Sequence, residues 1–259
     1  MGRKLMMMTV ATMIIMSCKT SYQVASIERS RILVDARYDY HQDEKAVAFL
    51  THYERIVDSI MSPVVGQSAK YMKPHRPESE LSNLIADIMV WAAKDYNEQP
   101  VFGVYNMGGM RADLPKGDVT YGDVLNIAPF ENKIIFATLS GAEVLELFSQ
   151  MASIGGEGVS HSVRMVITKD GQLVSAILNG EPIDPQKDYR FVTIDYLLGG
   201  TDKMVAFKKS RDIHSPQATE DTSRLIIMKY FREQMSQGKV VDAEMEGRVT
   251  VADEVLNIK

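Results

Sequence analysis

The run Asn106-Met-Gly-Gly-Met-Arg111 is the stretch around which the fold of this chain is organised. It follows residues 101–105, a short apolar run with the composition of a β-strand. Two adjacent glycines after a strand allow a sharp turn, or the close approach of another molecule to the backbone. The flanking Asn106 and Arg111 side chains can form hydrogen bonds with a polar ligand. Taken alone, the pattern has a simpler interpretation, a tight turn that carries a surface arginine.

Helical and β-like segments on both sides of this run are mixed without regular alternation. Capping boxes at Thr120-Tyr-Gly-Asp123 and Ser140-Gly-Ala-Glu143 predict two helix starts. Further helices are predicted over residues 42–61, 80–96 and 222–237, and strands over 101–105, 133–139, 163–168, 173–178, 189–194 and 248–251. Residues 32–40 form either an edge strand or a loop. Strands mixed with helices, with a hairpin late in the chain, predict an α+β fold in a single mixed domain.

The predicted helix over residues 80–96 combines an apolar stripe with two polar positions. Ser79 is the expected N-cap, because its hydroxyl can accept a hydrogen bond from the first turn. Asn83 and Asp87 lie one helical turn apart, and a solvated face is the simpler interpretation of this pair.

The composition is that of a globular chain with an acidic balance. The 259 residues are 45% hydrophobic and 24% charged, which is enough to build a core in roughly one domain. A net charge of −5 argues against binding to a nucleic acid polymer, because that function requires a basic face. No apolar run reaches the length of about 18 residues that an ordinary membrane span requires.

The N-terminus has the features of a bacterial lipoprotein precursor. Arg3 and Lys4 precede the apolar residues 5–16, and Ile15-Met-Ser-Cys18 resembles a lipobox. We therefore expect residues 1–17 to be a signal peptide, residues 18–41 a lipidated Cys18 with its tether, and residues 42–259 the folded domain. The lipid anchor would hold the protein to a membrane of the bacterial cell envelope, on an extracytoplasmic side. A plain signal peptide with an incidental cysteine is the alternative.

The chain lacks the residue clusters that hydrolytic chemistry requires. Its 5 histidines are scattered, and no Asn-His-Asp or His-x-His motif brings metal ligands together. It has neither a phosphate-binding loop nor a Gly-x-Ser-x-Gly elbow. Cys18 is the only cysteine, so residues 42–259 contain no thiol nucleophile. We therefore predict no catalytic residue, no metal ligand and no cofactor in this chain.

Aromatic and polar side chains near two glycine-containing strand exits form a candidate binding site instead. The second exit follows the predicted strand 189–194 and leads through Tyr196 to Asp202. Phe130 and Tyr196 can stack on both faces of a planar heterocycle, and each stack is worth about 1–3 kcal/mol. A carboxylate such as that of Asp202 can accept hydrogen bonds from ribose hydroxyls. This chemistry is typical of a nucleoside pocket, and the alternative is that both aromatics belong to the core.

An ordered series of motifs resembles the C-terminal domain of the 5'-nucleotidase family. That domain typically reads E-x-x-L-G-N-L-x-x-D, N-x-G-G-I-R, G-x-I-T, P-F-x-N, L-x-G, N-G-x-P-L and Y-x-V in this order. The similar stretches here are Glu78-Ser-Glu-Leu-Ser-Asn-Leu-Ile-Ala-Asp87, Asn106-Met-Gly-Gly-Met-Arg111, Gly117-Asp-Val-Thr120, Pro129-Phe-Glu-Asn132, Leu139-Ser-Gly141, Asn179-Gly-Glu-Pro-Ile-Asp184 and Tyr189-Arg-Phe-Val-Thr193. The resemblance covers roughly residues 42–250.

The resemblance implies that this domain binds the nucleoside part of a nucleotide. The substrate-binding residues that it implies are Asn106, Arg111, Phe130, Tyr196, Asp202 and Arg76. Phe130 and Tyr196 match the stacking aromatics of the family, and Asp202 matches the carboxylate that contacts ribose. Arg76 lies near another family arginine, although its spacing from the helix motif is one residue longer.

The chain also departs from the family. Its second loop reads Gly199-Gly-Thr-Asp202-Lys203 rather than G-G-D-G, and Asp195 stands where the family has Asn. The motifs of the family's N-terminal metallophosphatase domain are missing. The resemblance therefore implies the nucleotide- or nucleoside-binding part of a 5'-nucleotidase-type hydrolase in nucleotide catabolism. It would be inactive alone and would act with a separately encoded metallophosphatase that holds the divalent metals. The alternatives are a non-catalytic nucleoside-binding lipoprotein for scavenging or sensing, and a structural domain that has lost its ligand.

Overall fold

The computed structural model describes residues 22–38, 40 and 43–252, and the chain divides into two compact units, Met1–Leu50 and Thr51–Lys259. The predicted signal peptide and Cys18 lie outside the described residues. In the described part of the first unit, Ala36–Tyr38 forms a 3-10 helix, and residues 32–38 and 40 contain no strand, which favours the loop alternative. Helix α1, Glu44–Met61, confirms the helix predicted over residues 42–61, and none of its residues is buried.

The second unit mixes helices and strands, which confirms the α+β class. Its α-helices are α2 (Glu80–Ala92), α3 (Tyr121–Ile127), α4 (Gly141–Ser153), α5 (Asp195–Leu198) and α6 (Ser223–Ser236). Its strands are β1 (Val64–Ser68), β2 (Phe102–Tyr105), β3 (Gly117–Thr120), β4 (Ile134–Ser140), β5 (Gly158–Val159), β6 (Val163–Thr168), β7 (Leu173–Leu178), β8 (Glu181–Pro182), β9 (Asp188–Ile194), β10 (Arg211–His214) and β11 (Val249–Ala252).

The five-stranded sheet, in the order β10-β4-β9-β2-β5, determines where the candidate site lies. Strands β4 and β9 are antiparallel, with Ile134 opposite Ile194, whereas β2 runs parallel to β9. The end of β2, the start of β4 and the end of β9 therefore meet at one edge of the sheet. The chain segments that carry Asn106, Phe130 and Tyr196 leave the sheet at this edge.

Close packing of the sheet against α2 makes this edge rigid. Phe102 of β2 and Phe191 of β9 stack with ring centroids 5.6 Å apart, and both side chains are buried. Gly103 allows α2 to approach β2, because a Cβ atom at this position would lie 2.8 Å from Cγ2 of Val90. The other strands form a four-stranded sheet in the order β11-β6-β7-β8 and a two-stranded sheet of β1 and β3. A single buried core thus supports the strand exits.

The local signals of the sequence are confirmed where they depend on near neighbours. Ser79, Thr120 and Ser140 each accept a hydrogen bond from the backbone of the third helical residue and form reciprocal capping boxes. The hairpin of β6 and β7 is also present. Helix α2 ends at Ala92, earlier than predicted, because the chain tightens into a 3-10 turn that stops at the left-handed Asn97, with a φ of 55°.

The interpretation of Asn83 and Asp87 as a solvated face is wrong for Asn83 and holds in part for Asp87, whose side chain is 40% exposed. Asn83 is only 1% exposed and donates a hydrogen bond to the buried Glu78 at 2.7 Å. Asp87 accepts two hydrogen bonds, at 2.9 and 2.6 Å, from the guanidinium of Arg248, whose side chain is 2% exposed. The C-terminal segment that enters β11 covers this face of α2, a contact that the pattern of the helix alone does not reveal.

Candidate binding site at the strand exits

The glycine run after β2 forms a short 3-10 turn, Met107–Gly109, that begins at Asn106. Asn106 is 3% exposed, so its amide lies inside the protein rather than on the surface. A Cβ atom at Gly109 would lie 2.5 Å from Oδ1 of Asn106, whereas one at Gly108 would meet only the Nδ2 atom at 3.8 Å. The second glycine is therefore required because the asparagine side chain folds back over it.

The two aromatic side chains lie on neighbouring segments that the sheet holds together. Phe130 precedes β4 and is 45% exposed, and Tyr196 follows β9 and is 43% exposed. The backbone N–H of Asp195 donates to the carbonyl of Lys133 at 2.9 Å, which extends the pairing of the two strands towards both rings. Their exposure contradicts the alternative that they are core aromatics.

Asp202 forms hydrogen bonds with Asn106, which follows β2, and with Tyr196, which follows β9. Its Oδ2 atom accepts a hydrogen bond from Nδ2 of Asn106 at 2.7 Å, and its Oδ1 atom accepts one from the Tyr196 hydroxyl at 3.0 Å. The hydrogen bond to this carboxylate raises the pKa of Tyr196 above its ordinary value. Asp202 and Lys203 are both left-handed, with φ values of 52° and 64°, a conformation that non-glycine residues adopt at a cost. The loop thus places the carboxylate at the expense of backbone strain.

These side chains enclose a cavity of about 360 Å³, a volume suited to a small molecule. Its lining residues are Asn106, Gly108, Gly109, Arg111, Phe130, Asn132, Tyr196 and Asp202. The structure therefore brings together five of the side chains that the sequence proposed. Asn132 was not predicted, although it ends the quoted Pro129-Phe-Glu-Asn132 motif and could have been found there.

Arg76 is placed apart from the other predicted site residues. It lines an adjoining cavity of about 240 Å³ together with Gly108, Ile154, Asp202 and Lys203. Its Nε donates to the carbonyl of Gly156 at 2.8 Å, and its Nη2 pairs with Oε1 of Glu157. Gly108 and Asp202 line both cavities, and Arg76 lines only the adjoining one.

Glu157 is a buried carboxylate that the sequence did not indicate. It is 1% exposed and accepts hydrogen bonds from Arg76 and from the backbone N–H of Met107 in the glycine turn. Burial raises the pKa of Glu157, although its two hydrogen-bond donors act in the opposite direction. It lies in a glycine-rich run, Gly155-Gly-Glu-Gly158, which carries no signal for a buried acid.

The first cavity is lined by groups that can bind a ligand. Oδ1 of Asn106 is buried over Gly109 and has no hydrogen-bond partner among the described residues, so the polar group that the cavity offers a ligand donor is the Asp202 carboxylate. Arg111 is exposed, and its Nη1 makes a long 3.4 Å hydrogen bond to the carbonyl of Gly108. The cavity therefore combines two aromatic side chains, a carboxylate and an exposed cation.

The described part of the chain contains neither a metal-ligand cluster nor a helix that could span a membrane. Residues 22–38, 40 and 43–252 contain no group of three or more His, Cys, Asp or Glu side chains placed to hold a metal ion. Over the same residues, no helix combines the length and the apolar character needed to cross a membrane.

Comparisons with known proteins agree on one relationship. Residues 64–209 match the family model for the C-terminal domain of 5'-nucleotidase. The crystal structure of a 5'-nucleotidase precursor from Thermus thermophilus superposes with a TM-score of 0.69 at 27% identity, and the match covers 81% of this chain and 43% of that one.

Curated relatives match over part of their length. Protein UshA of Salmonella pullorum is 36% identical over 104 residues, which is 39% of this chain and 19% of UshA. Endonuclease YhcR of Bacillus subtilis strain 168 is 28% identical over 246 residues, which is 91% of this chain and 18% of that protein. The chain thus spans about a fifth of the length of these relatives.

Proposed function

Because the chain belongs to the 5'-nucleotidase C-terminal domain family, we propose that its first cavity binds the nucleoside part of a nucleotide. The family relationship supports a role in nucleotide metabolism. The observation that carries the proposal is the pair of half-exposed rings, Phe130 and Tyr196, which both line a cavity that also contains a carboxylate.

The base would lie between the two aromatic rings. Each base–ring stack contributes about 1–3 kcal/mol, and stacking tolerates any base because every base has an aromatic face. The exposure of both rings means that a ligand would bury apolar surface that water now contacts. Stacking would therefore supply most of the affinity, and the polar groups would supply orientation.

The sugar would lie at the Asn106–Asp202 end of the cavity. A ribose hydroxyl can donate to the Asp202 carboxylate, which lines the cavity. The Asp202 carboxylate already accepts bonds from Asn106 and Tyr196, which fixes its orientation before a ligand arrives. A phosphate on the sugar would meet the exposed cation of Arg111 at the rim.

We propose further that this chain supplies substrate binding to a separately encoded metallophosphatase, and that the divalent metals belong to that partner. The support is the presence of the substrate-domain motifs without the metal-binding motifs of the catalytic domain. An anchor at Cys18 would hold the protein at a membrane of the bacterial cell envelope. Labelling of wild type and Cys18→Ala with a lipid probe tests the anchor, and equal labelling of both would refute it.

The alternative is a nucleoside-binding lipoprotein that captures its ligand for scavenging or sensing without an enzyme partner. The cavity is assembled from residues of this chain, so binding itself requires no second protein. The two functions differ in one property. Only the first requires that the chain stimulate phosphate release from AMP by a metallophosphatase that lacks this domain.

Calorimetric titration with adenosine and AMP tests the binding proposal. We expect binding by wild type and a loss of about 5- to 150-fold in affinity for Phe130→Ala, because one stack of about 1–3 kcal/mol disappears. No heat with any nucleoside would refute the proposed function and favour a structural domain. Metal-dependent phosphate release from AMP by the pure chain would refute the division of labour with a partner.

A further inference from the structure

The loop that carries Phe130 is held by helix α6, and we infer that Arg224 is the positioning residue for this aromatic wall. The inference rests on the proposed function, because a nucleoside is the ligand whose stacking would require a fixed ring. Arg224 is the second residue of α6 and does not line the cavity. It therefore acts on the ligand through Phe130 rather than by direct contact.

The loop in question covers residues 128–132, between α3 and β4. Both of its ends are fixed by backbone hydrogen bonds of 2.9 Å, from Arg111 to the carbonyl of Ile127 and from Asp195 to the carbonyl of Lys133. Its middle has no regular secondary structure, and Phe130 there is 45% exposed. An exposed ring on such a loop needs a further contact to hold one orientation, since loop backbone is otherwise mobile.

The start of α6 supplies that contact on both sides of Phe130. Nη1 of Arg224 donates to the carbonyl of Pro129 at 3.2 Å, and Nη2 lies 3.5 Å from Oε1 of Glu131. Ser223, the residue before Arg224, donates its backbone N–H to the carbonyl of Asn132, the residue after Glu131, at 2.8 Å. The guanidinium fork thus holds the residues immediately before and after the aromatic ring.

The contact with Pro129 matters more than the ion pair. The Glu131 side chain is 83% exposed, so solvent screens its charge and the pair contributes little. The Arg224 side chain is only 12% exposed, so its hydrogen bond to the Pro129 carbonyl is less screened by solvent than the ion pair. Arg224 therefore acts mainly by holding the backbone directly before Phe130.

The surroundings of Arg224 do not make it a simple stabiliser of the core. Its Nε atom is buried and has no hydrogen-bond partner within the described residues, which lowers stability rather than raising it. A buried guanidinium with an unsatisfied donor is better explained by the loop that it holds. The geometry also predicts which replacement is tolerated, because lysine can still donate to the Pro129 carbonyl but lacks the planar fork.

The test measures adenosine affinity by calorimetry for Arg224→Gln, Arg224→Lys and the double variant Phe130→Ala/Arg224→Gln. Arg232→Gln is the matched control, since Arg232 lies exposed on the same helix. We expect Arg224→Gln to bind adenosine about 5- to 10-fold more weakly than wild type. This loss should be smaller than the loss caused by Phe130→Ala, because the ring is still present. The affinity of Arg224→Lys for adenosine should stay within about 3-fold of that of wild type, and the affinity of Arg232→Gln should equal that of wild type.

Coupling between the two substitutions separates positioning from general destabilisation. In the Phe130→Ala background, Arg224→Gln should cause no further loss of affinity. An equal loss in both backgrounds, or no loss in either, would overturn the inference.

Hydrogen exchange of the amides of residues 130–132 in the ligand-free protein gives a second readout. Faster exchange is expected in Arg224→Gln and not in Arg232→Gln. If adenosine does not bind wild type, the proposed function fails while the exchange rates still decide whether Arg224 holds the loop. Unchanged exchange would overturn the inference.

Discussion

Replacing Asp87 by alanine should destabilise the protein far more than its position on a helix surface suggests. The carboxylate receives two hydrogen bonds from Arg248, at 2.9 and 2.6 Å, and one from the backbone N–H of His161, at 2.8 Å. Breaking a fully buried ion pair costs about 3–5 kcal/mol. The Asp87 side chain is 40% exposed, and Arg248 keeps bonds to Glu246 and to the carbonyl of Val159, so this range is an upper bound.

We therefore expect Asp87→Ala to lower the free energy of unfolding by about 2–3 kcal/mol, which is roughly 5–10 °C in Tm for a domain of this size. Urea and thermal unfolding followed by circular dichroism measure both quantities. Glu233→Ala is the control, since it breaks an exposed ion pair with Lys94. The Lys94 side chain is 49% exposed and the Glu233 side chain is 32% exposed. That variant should lose less than about 1 kcal/mol. Equal effects of the two substitutions would refute the idea that Arg248 fastens the C-terminal segment to α2.

Two further predictions concern the glycine turn and acid stability. Gly109→Ala should weaken adenosine binding about 10-fold in calorimetry, because the new methyl displaces the Asn106 amide; an affinity equal to that of wild type would contradict this. The ion pair with Arg190 lowers the pKa of Glu98 in the folded state, so its stabilisation is present above the unfolded pKa of about 4.3 and is lost as pH falls. Glu98→Gln should therefore flatten the decline of Tm between about pH 5 and pH 3, and an unchanged slope would contradict the assignment.

The sequence was most informative where the physical cause is local. Capping boxes such as that of Thr120 and Asp123 depend on residues three positions apart, so their geometry follows from the pattern alone. The glycines after β2 indicated a place where backbone and side chain come close, and Asn106 does fold over Gly109. The pocket residues themselves came from ordered motifs, because no spacing rule connects Phe130 with a loop that follows another strand.

The contacts that the sequence did not predict join distant parts of the chain. Arg248 and Asp87 are 161 residues apart, and neither position has a local pattern that indicates their ion pair. Glu157 likewise lies in a glycine-rich run and becomes a buried carboxylate only because Met107 and Arg76 are brought to it. Helix α1 differs from the sequence pattern in the opposite direction, since its apolar positions suggest a packed stripe and none of its residues is buried.

Local signals and ordered motifs were thus sufficient to identify the α+β class, the starts of the capped helices, and five side chains that line one cavity. The packing of distant segments was needed to show that Arg76 faces an adjoining cavity, that Asp202 is held between Asn106 and Tyr196, and that α6 supports the loop of Phe130. The cause is the pairing of β4 with β9 and of β9 with β2. Strand register brings three distant chain exits to one edge of a sheet, and it depends on the packing of the whole core rather than on any single run of residues.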